Sequence, residues 1–280
     1  MAGKTISLTI LSDNNAAPCC TAEHGFSLLA ETDESLILFD TGRQQALLDN
    51  ARALGIDLSR IRQLVLSHGH YDHSGGVADM LELCPDLSVY MHPAAFQKRF
   101  SIRDGKSRPV HMPERARMAL KAMPRGRICL VEQPAVLAYG AGITGPVPRR
   151  TAFENTGGPF YMDPEGTIPD PIGDDLSIWF ETRDGLVLIA GCCHAGLVNT
   201  LRYVIELTGN ERIAAIIGGF HLSAASEERL TLTAEALNGF DIARIIPCHC
   251  TGEHATMYFR RNLRCPVEAG YAGMLLQFPA

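Results

Sequence analysis

The chain contains no apolar run approaching the roughly eighteen residues that a membrane-spanning helix requires, so no membrane partner is expected. It has nine cysteines, an odd number, yet no pair with C-x-x-C spacing. That absence argues against a zinc ribbon and against a disulfide framework, and it fits reduced thiols. Neither a G-x-S-x-G elbow nor a P-loop is present, which excludes a serine nucleophile on a hydrolase elbow and a Walker-type phosphate cradle. Positive charge is in deficit: 25 Lys and Arg stand against 31 Asp and Glu, a formal charge of -6, which disfavours a nucleic-acid partner. Met1-Ala2-Gly3-Lys4 leads into strand-like sequence rather than a secretory signal, and a cytoplasmic protein is expected.

What is present suits a globular enzyme. With 280 residues, 46% of them hydrophobic and 20% charged, the chain can bury a large core as one domain over 1–280. Its most informative stretch is Ser67-His68-Gly69-His70-Tyr71-Asp72-His73-Ser74-Gly75-Gly76, which places three imidazoles and a carboxylate within six residues. The apolar run Ile61 to Leu66 before it reads as a buried strand, and Gly75-Gly76 opens a helix. The cluster therefore sits on a loop at a strand's C-terminal end, where an α/β sheet exposes side chains in a crevice. Residues two apart in an extended chain point the same way, so His68 and His70 can grip one ion together while Asp72 and His73 turn toward a second.

His68-x-His70-x-Asp72-His73 resembles the HxHxDH signature of the metallo-β-lactamase superfamily. Phe39-Asp40-Thr41-Gly42 is similar to that superfamily's first motif. Gly191-Cys192-Cys193-His194-Ala195-Gly196, Gly218-Gly219-Phe220-His221-Leu222 and Pro247-Cys248-His249-Cys250-Thr251-Gly252 resemble one branch of it. That branch is labelled 7,8-dihydropterin-6-yl-methyl-4-(β-D-ribofuranosyl)aminobenzene 5'-phosphate synthase-like, and the likeness runs from about residue 5 to residue 278. In it, an Asp-Asn pair like Asp13-Asn14 and a Glu-His-Gly like Glu23-His24-Gly25 recur near the active site.

Taken in order, Thr5 to Leu11 reads as a strand, and Phe26–Glu31 with Ser35–Phe39 as a hairpin whose end carries Asp40. Asp40 is read as a carboxylate that orients a ligand histidine, against the plainer reading of a turn residue. Helical spacing covers Gln44–Leu54, stopping at Gly55, and Val77–Leu83; Leu87–Met91 reads as a strand and Pro93–Phe100 as a helix. From Gln97 to Arg127 ten basic residues face only Asp104 and Glu114, so this segment carries +8 and the rest -14. Residues from about 101 to 172, rich in proline and glycine, read as an irregular lid-like insertion. Its positive half suits an anionic substrate, with a solvated basic surface or a homodimer contact as the alternatives. Strands then alternate with helices: Leu176–Glu181, Leu186–Ala190, helix Ala195–Leu207, Ile213–Ile217, helix Ser226–Leu237, Ile242–Ile246 and a closing strand Gly273–Phe278. Two such halves suggest an α/β fold, the four-layer αββα sandwich of the resembled superfamily.

The second half brings Cys192, His194, His221 and His249 to strand ends. Most members of the superfamily carry a further histidine before a bridging aspartate, but no histidine occurs between Pro159 and Cys193, and Gly191-Cys192 stands where Gly-Asp is usual. The resemblance then implies a first metal site of His68, His70 and His194 and a second of Asp72, His73 and His249. Cys192 is either a thiolate ligand or a buried neutral cysteine. Cys248 and Cys250, pointing away from His249 in an extended chain, are expected in the core. Two Zn²⁺ ions are the first expectation, with Fe or Mn as alternatives. The expected function is metal-dependent hydrolysis of a small anionic substrate, a phosphate ester or cyclic phosphodiester, by a metal-activated hydroxide. Asp72 would orient the nucleophile and His221 would donate a proton or hold an oxyanion, with a third metal ligand or a structural histidine as the alternatives for His221. The alternatives are a synthase-like transferase, as the branch label implies, and a metal or ligand sensor without turnover.

Overall fold

Ile6, Leu8 and Ile10 recur at every second position, and Thr5–Ser12 forms a strand (β1) that buries all three on one face. The computed structural model describes residues 5–33, 35–137 and 140–280; the readings made above for residues 1–4, and for hairpin position 34, lie outside the described residues. In chain order there follow β2 (Ser27–Glu31), β3 (Leu36–Phe39), α1 (Ala46–Ala53), β4 (Gln63–Val65), the single turn α2 (Tyr71–Ser74), α3 (Val77–Leu83), β5 (Ser88–Met91), β6 (Phe100–Arg103), β7 (Lys106–Pro109), α4 (Glu114–Ala122), β8 (Ile128–Leu130), β9 (Ala135–Val136), β10 (Gly142–Ile143) and β11 (Phe160–Tyr161). The second half adds β12 (Ser177–Thr182), β13 (Gly185–Ala190), α5 (Leu197–Thr208), β14 (Arg212–Gly219), α6 (Glu227–Leu237), β15 (Asp241–Ile242), β16 (Ile245–Cys248), α7 (Glu253–Asn262) and β17 (Leu275–Pro279).

Two large sheets result, ordered β17-β1-β2-β3-β4-β5-β8 and β15-β14-β13-β12-β10-β9, with β16 also paired to β14, and β11-β6-β7 form a small third. Strands β3, β4, β5 and β8 run parallel, as do β13, β14 and β16. The two large sheets face each other across a core in which Leu8, Phe39 and Val65 of the first meet Ile178, Phe180 and Val187 of the second. Their outer faces are covered as well. Leu38, Leu64 and Val89 pack against Leu47 of α1, Met80 of α3 and Leu120 of α4, while Leu188 and Ile216 pack against Leu201 of α5, Leu230 of α6 and Phe259 of α7. Buried on both sides, β13 is apolar at every position after its first glycine, and each such Leu or Ile stabilises the fold by about 1.5–3 kcal/mol. The architecture is the αββα sandwich.

Three readings change. Pro93–Phe100 is not a helix: a 3₁₀ turn at Pro93–Phe96 gives way to β6, because the imidazole of His92 caps the turn at the Ala94 amide and Gln97 returns to an extended backbone. Ile242–Ile246 is split between β15 and β16. Residues 101–172 are more regular than their proline and glycine content suggests, since α4 lies on the outer layer and β8 extends the first sheet. The basic segment is also partly neutralised. Arg115 pairs with Asp79 and Glu82, Arg117 with Glu114, Arg127 with Asp86, and buried Arg99 with Asp170 and Asp174. Gly140-Ala141-Gly142-Ile143-Thr144-Gly145 has dinucleotide-loop spacing, but it forms β10 and no helix follows, so it lacks the helix N-terminus that such chemistry needs. Among the described residues no helix is long and apolar enough to cross a membrane.

Candidate metal centre

Each of β3, β4, β13, β14 and β16 releases its chain at one edge of the sandwich, and the loops that follow carry Asp40, the His68–His73 cluster, Cys192 with His194, His221 and His249. Six non-glycine residues have positive φ among those described, and Asp40, Cys193, His221 and His249 are four of them. Such conformations cost about 1–3 kcal/mol each and collect where function over-determines the backbone.

Asp40 lies fully buried beneath the cluster. Its Oδ1 accepts the Ser67 amide at 2.7 Å, and its Oδ2 accepts the Ser67 hydroxyl at 2.6 Å and lies 2.7 Å from His73 Nδ1. With Nδ1–H given to the carboxylate, His73 Nε2 is left facing Cys192 Sγ at 3.0 Å. His194 is held the same way, Nδ1 against the Thr156 carbonyl at 2.7 Å, as is His249, Nδ1 against Asn14 Oδ1 at 2.8 Å, with the His249 amide donating to Asp13 Oδ1 at 2.7 Å. The Gly69 amide donates to Asp174 Oδ2 at 2.8 Å, so the Arg99–Asp174 pair anchors the turn between His68 and His70.

The expected first group is brought together: ring centroids of His68, His70 and His194 are 4.5, 4.9 and 5.1 Å apart. So is the second, with His249 Nε2 3.3 Å from Asp72 Oδ2 and the His73 and His249 rings 5.1 Å apart. Cys192 stands between them. Its Sγ forms one donor set with His68 and His194, another with His73 and His249, and a third with His221 and Cys250, each with donor atoms within 4.8 Å. His24 joins Asp72 and His249 in a fourth set, its Nε2 3.2 Å from Asp72 Oδ2. Cys193 points to the outer layer, its Sγ 3.3 Å from Thr200 Oγ1. His111 binds the Arg99 backbone, and exposed His254 pairs with Glu227.

Cys248 and Cys250 are both buried as expected, but the expected direction of Cys250 fails: Cys248 enters the core between the sheets, whereas Cys250 Sγ lies 3.2 Å from Cys192 Sγ. The alternation of an extended chain ends at His249, where φ is 46° and a 3₁₀ turn over His249–Thr251 swings Cys250 inward. Phe160, unremarked in the sequence, places its ring 5.1 to 5.5 Å from the centroids of His70, His194 and His221 and roofs them. A lone phenylalanine in a glycine-rich loop gave no signal; its role arises from pairing of β11 with β6.

Burial, then neighbouring charge, holds His68, His70 and His194 well below the usual imidazole value, so each is a neutral ring with a lone pair. His73 behaves oppositely: burial works against its charge, but Asp40 and Asp72 overcome it and raise it to about 9. Burial also opposes the Asp72 carboxylate, yet contacts from His24 and His249 hold it well below its ordinary range. Burial opposes ionisation of both thiols; the contact with Cys192 and the nearby imidazoles nonetheless hold Cys250 well below its usual value, while Cys192 is pushed well above. His70 Nε2, His194 Nε2 and His221 Nδ1 are buried without hydrogen-bond partners. An unpaired buried group costs about 1–3 kcal/mol, and several such nitrogens around one thiol fit a metal-binding site.

A cleft of about 870 Å³ opens beside the rings, lined by Arg103, Asn155, Gly157, Gly158 and Arg229. It borders His221, since a Cβ on Gly157 would stand 2.4 Å from His221 Cδ2. The imidazoles fill the strand-end crevice itself, so the void lies next to them rather than among them.

Comparison with known proteins agrees with this geometry. The family model described as metallo-beta-lactamase superfamily matches residues 20–249. Among curated proteins, the 7,8-dihydropterin-6-methyl-4-(beta-D-ribofuranosyl)-aminobenzene-5'-phosphate synthase of Methanocaldococcus jannaschii is 28% identical over 267 residues, spanning 92% of this chain and 90% of that one. An uncharacterised protein of the same organism is 31% identical over 249 residues, spanning 88% and 90%. Among solved structures, a metal-dependent hydrolase of the beta-lactamase superfamily superposes with a TM-score of 0.83 at 30% identity, covering 98% of this chain and all of the other. Strand-end donors, sandwich and sequence likeness agree, and the chain belongs to the metallo-β-lactamase superfamily.

Proposed function

We propose that this chain is a metal-dependent hydrolase acting on a small anionic substrate, a phosphate ester or cyclic phosphodiester. The observation that carries the reading is the shared position of Cys192 between two donor sets, His68 with His194 and His73 with His249, with buried unpartnered nitrogens around it. His68, His70 and His194 would hold one ion and Asp72, His73 and His249 a second, with Cys192 as a thiolate between them. Zinc suits imidazole and thiolate best, ahead of iron or manganese. A bound dication supplies Lewis acidity, acidifying water to a pKa of about 7 and polarising a phosphoryl oxygen.

The chain's own groups do the rest. Asp40 and the Thr156 carbonyl hold Nδ1 of His73 and of His194, so that Nε2 of each is the nitrogen left for an ion, His73 giving up its Nε2 proton when one binds. Asp72, a carboxylate at neutral pH, accepts hydrogen bonds from a water molecule and orients it. His221, between the cluster and the cleft, donates a proton to the leaving oxygen. Phe160 excludes water from three rings. Arg103 and Arg229, set against Glu228, leave the cleft a net positive charge for an anion. The small sheet β11-β6-β7 carries Phe160 to this edge.

Metal analysis of protein purified without added metal tests the reading, alongside a panel of phosphate monoesters and cyclic phosphodiesters. About two ions per chain are expected, falling toward one in His194→Ala. No stoichiometric metal, with turnover unchanged in His68→Ala and His70→Ala, would overturn it. A second reading, group transfer, draws on the 28% identity to a chain named as a synthase. It predicts a condensation product instead of hydrolysis, and product analysis separates the two.

A further inference from the structure

Cys250 has no place in the ligand scheme above, yet the backbone is arranged around its sulfur. Cys248, two residues earlier, shows what a core cysteine looks like in this loop, packed between the sheets. Cys250 is brought to the opposite side by the positive φ of His249, by the 3₁₀ turn that follows, and by the Phe220 amide donating to Thr251 Oγ1 at 3.0 Å. On the facing strand only glycine fits: a Cβ on Gly219 would stand 2.6 Å from Cys250 Sγ. The sulfur is buried, 3.2 Å from Cys192 Sγ, and its donor set with Cys192 and His221 spans no more than 4.8 Å.

Two sulfurs bound to one tetrahedral ion at about 2.3 Å stand about 3.8 Å apart. The Cys192–Cys250 pair, at 3.2 Å, need open by only about 0.6 Å to reach that separation, which side-chain torsion supplies. We propose that Cys250 is a further sulfur ligand of the metal centre, binding with Cys192 as a thiolate pair. Both sulfurs bind as thiolates, and any proton a thiol still carries passes to solvent as its S–metal bond forms. Two thiolates beside imidazoles select a borderline-soft cation, zinc, iron(II) or cobalt(II), over magnesium or manganese. The inference rests on the metal-centre reading given under Proposed function.

Cobalt(II) replacement tests it, because sulfur-to-cobalt charge transfer absorbs in the near ultraviolet whether or not the protein turns over substrate. The band should fall to about half in Cys250→Ser and to about half in Cys192→Ser, and vanish in the double variant, as expected when two thiolates contribute. Cys19→Ser, at an exposed thiol, should leave it intact. A band unchanged in Cys250→Ser, or abolished by Cys192→Ser alone, overturns the inference. If Cys250→Ser does not fold, the Cys192→Ser protein decides, since a band persisting there requires another sulfur. Wild-type protein that takes up no cobalt or zinc refutes the metal-centre reading itself, an outcome distinct from uptake without a second thiolate.

Discussion

Asp40→Asn isolates what one buried carboxylate contributes. In the metal-free protein the protonated His73 ring is stabilised chiefly by Asp40 and then by Asp72, against the cost of burial, which moves its pKa from 6.5 to about 9. Because the folded value lies above the unfolded one, the linked stability is fully present below pH 6.5 and is lost as pH rises through about 9. At about 1.4 kcal/mol per tenfold change in proton affinity, the difference is worth about 3 kcal/mol at most. Asparagine keeps one acceptor for the Ser67 amide but presents an amide N–H₂ toward His73 Nδ1 or the Ser67 hydroxyl. His73 then favours the tautomer with its proton on Nε2, the atom that faces Cys192. Urea denaturation of chelated protein should show wild-type stability falling between pH 6.5 and 9, with Asp40→Asn flat across that window. Zinc affinity of the variant, measured by chelator competition, should be about 10- to 100-fold weaker. Equal pH slopes in the two proteins, or undiminished zinc affinity, would refute the reasoning.

Three further outcomes are expected. Arg99→Met strands the buried carboxylates of Asp170 and Asp174 and frees the acceptor that holds the Gly69 amide, so it should cost about 3–5 kcal/mol in chemical denaturation; a loss under about 1 kcal/mol would show that the anchor is dispensable. Burial raises Asp175 to about 6, so its contribution falls as pH rises from 3.8 to 6 and stays low above that; Asp175→Asn, which still accepts the Ala195 amide, should raise the melting temperature of chelated protein at about pH 7.5 and leave it unchanged near pH 4. Gly157→Ala places a methyl 2.4 Å from His221 Cδ2 at a φ of 82°, so kcat should drop at least about tenfold while metal content stays at the wild-type level; unchanged kcat would remove His221 from the chemistry.

The parts of this molecule that were legible in its sequence are those governed by one periodicity. Alternation marks β1, an unbroken apolar run marks β13, helical spacing gives α3 to the residue, and Ser226 marks the start of α6, where its hydroxyl accepts the Arg229 amide at 3.2 Å. Four donors in six residues announced the cluster, and strand ends announced its partners. The remainder of the site depends on breaks in those periodicities. Alternation points Cys250 away from the site, but it ends at His249, where the backbone enters the left-handed region. Arg99 belongs by sequence to a basic segment, although two aspartates some 70 residues away pair with it in the interior. Phe160 and Thr156 lie in a stretch without periodic signal and reach the imidazoles only because β11 pairs with β6. Local patterning therefore names the donors, whereas the groups that orient, roof and anchor them arrive through long-range pairing. This makes the supporting residues the stronger test of the functional reading. A fold that merely retained histidines in sequence would not also need Asp40, the Thr156 carbonyl and Asn14 to hold the far nitrogens of His73, His194 and His249, and substituting Asp40 and Asn14, whose side chains supply the acceptors, should weaken metal binding while the rings themselves stay in place.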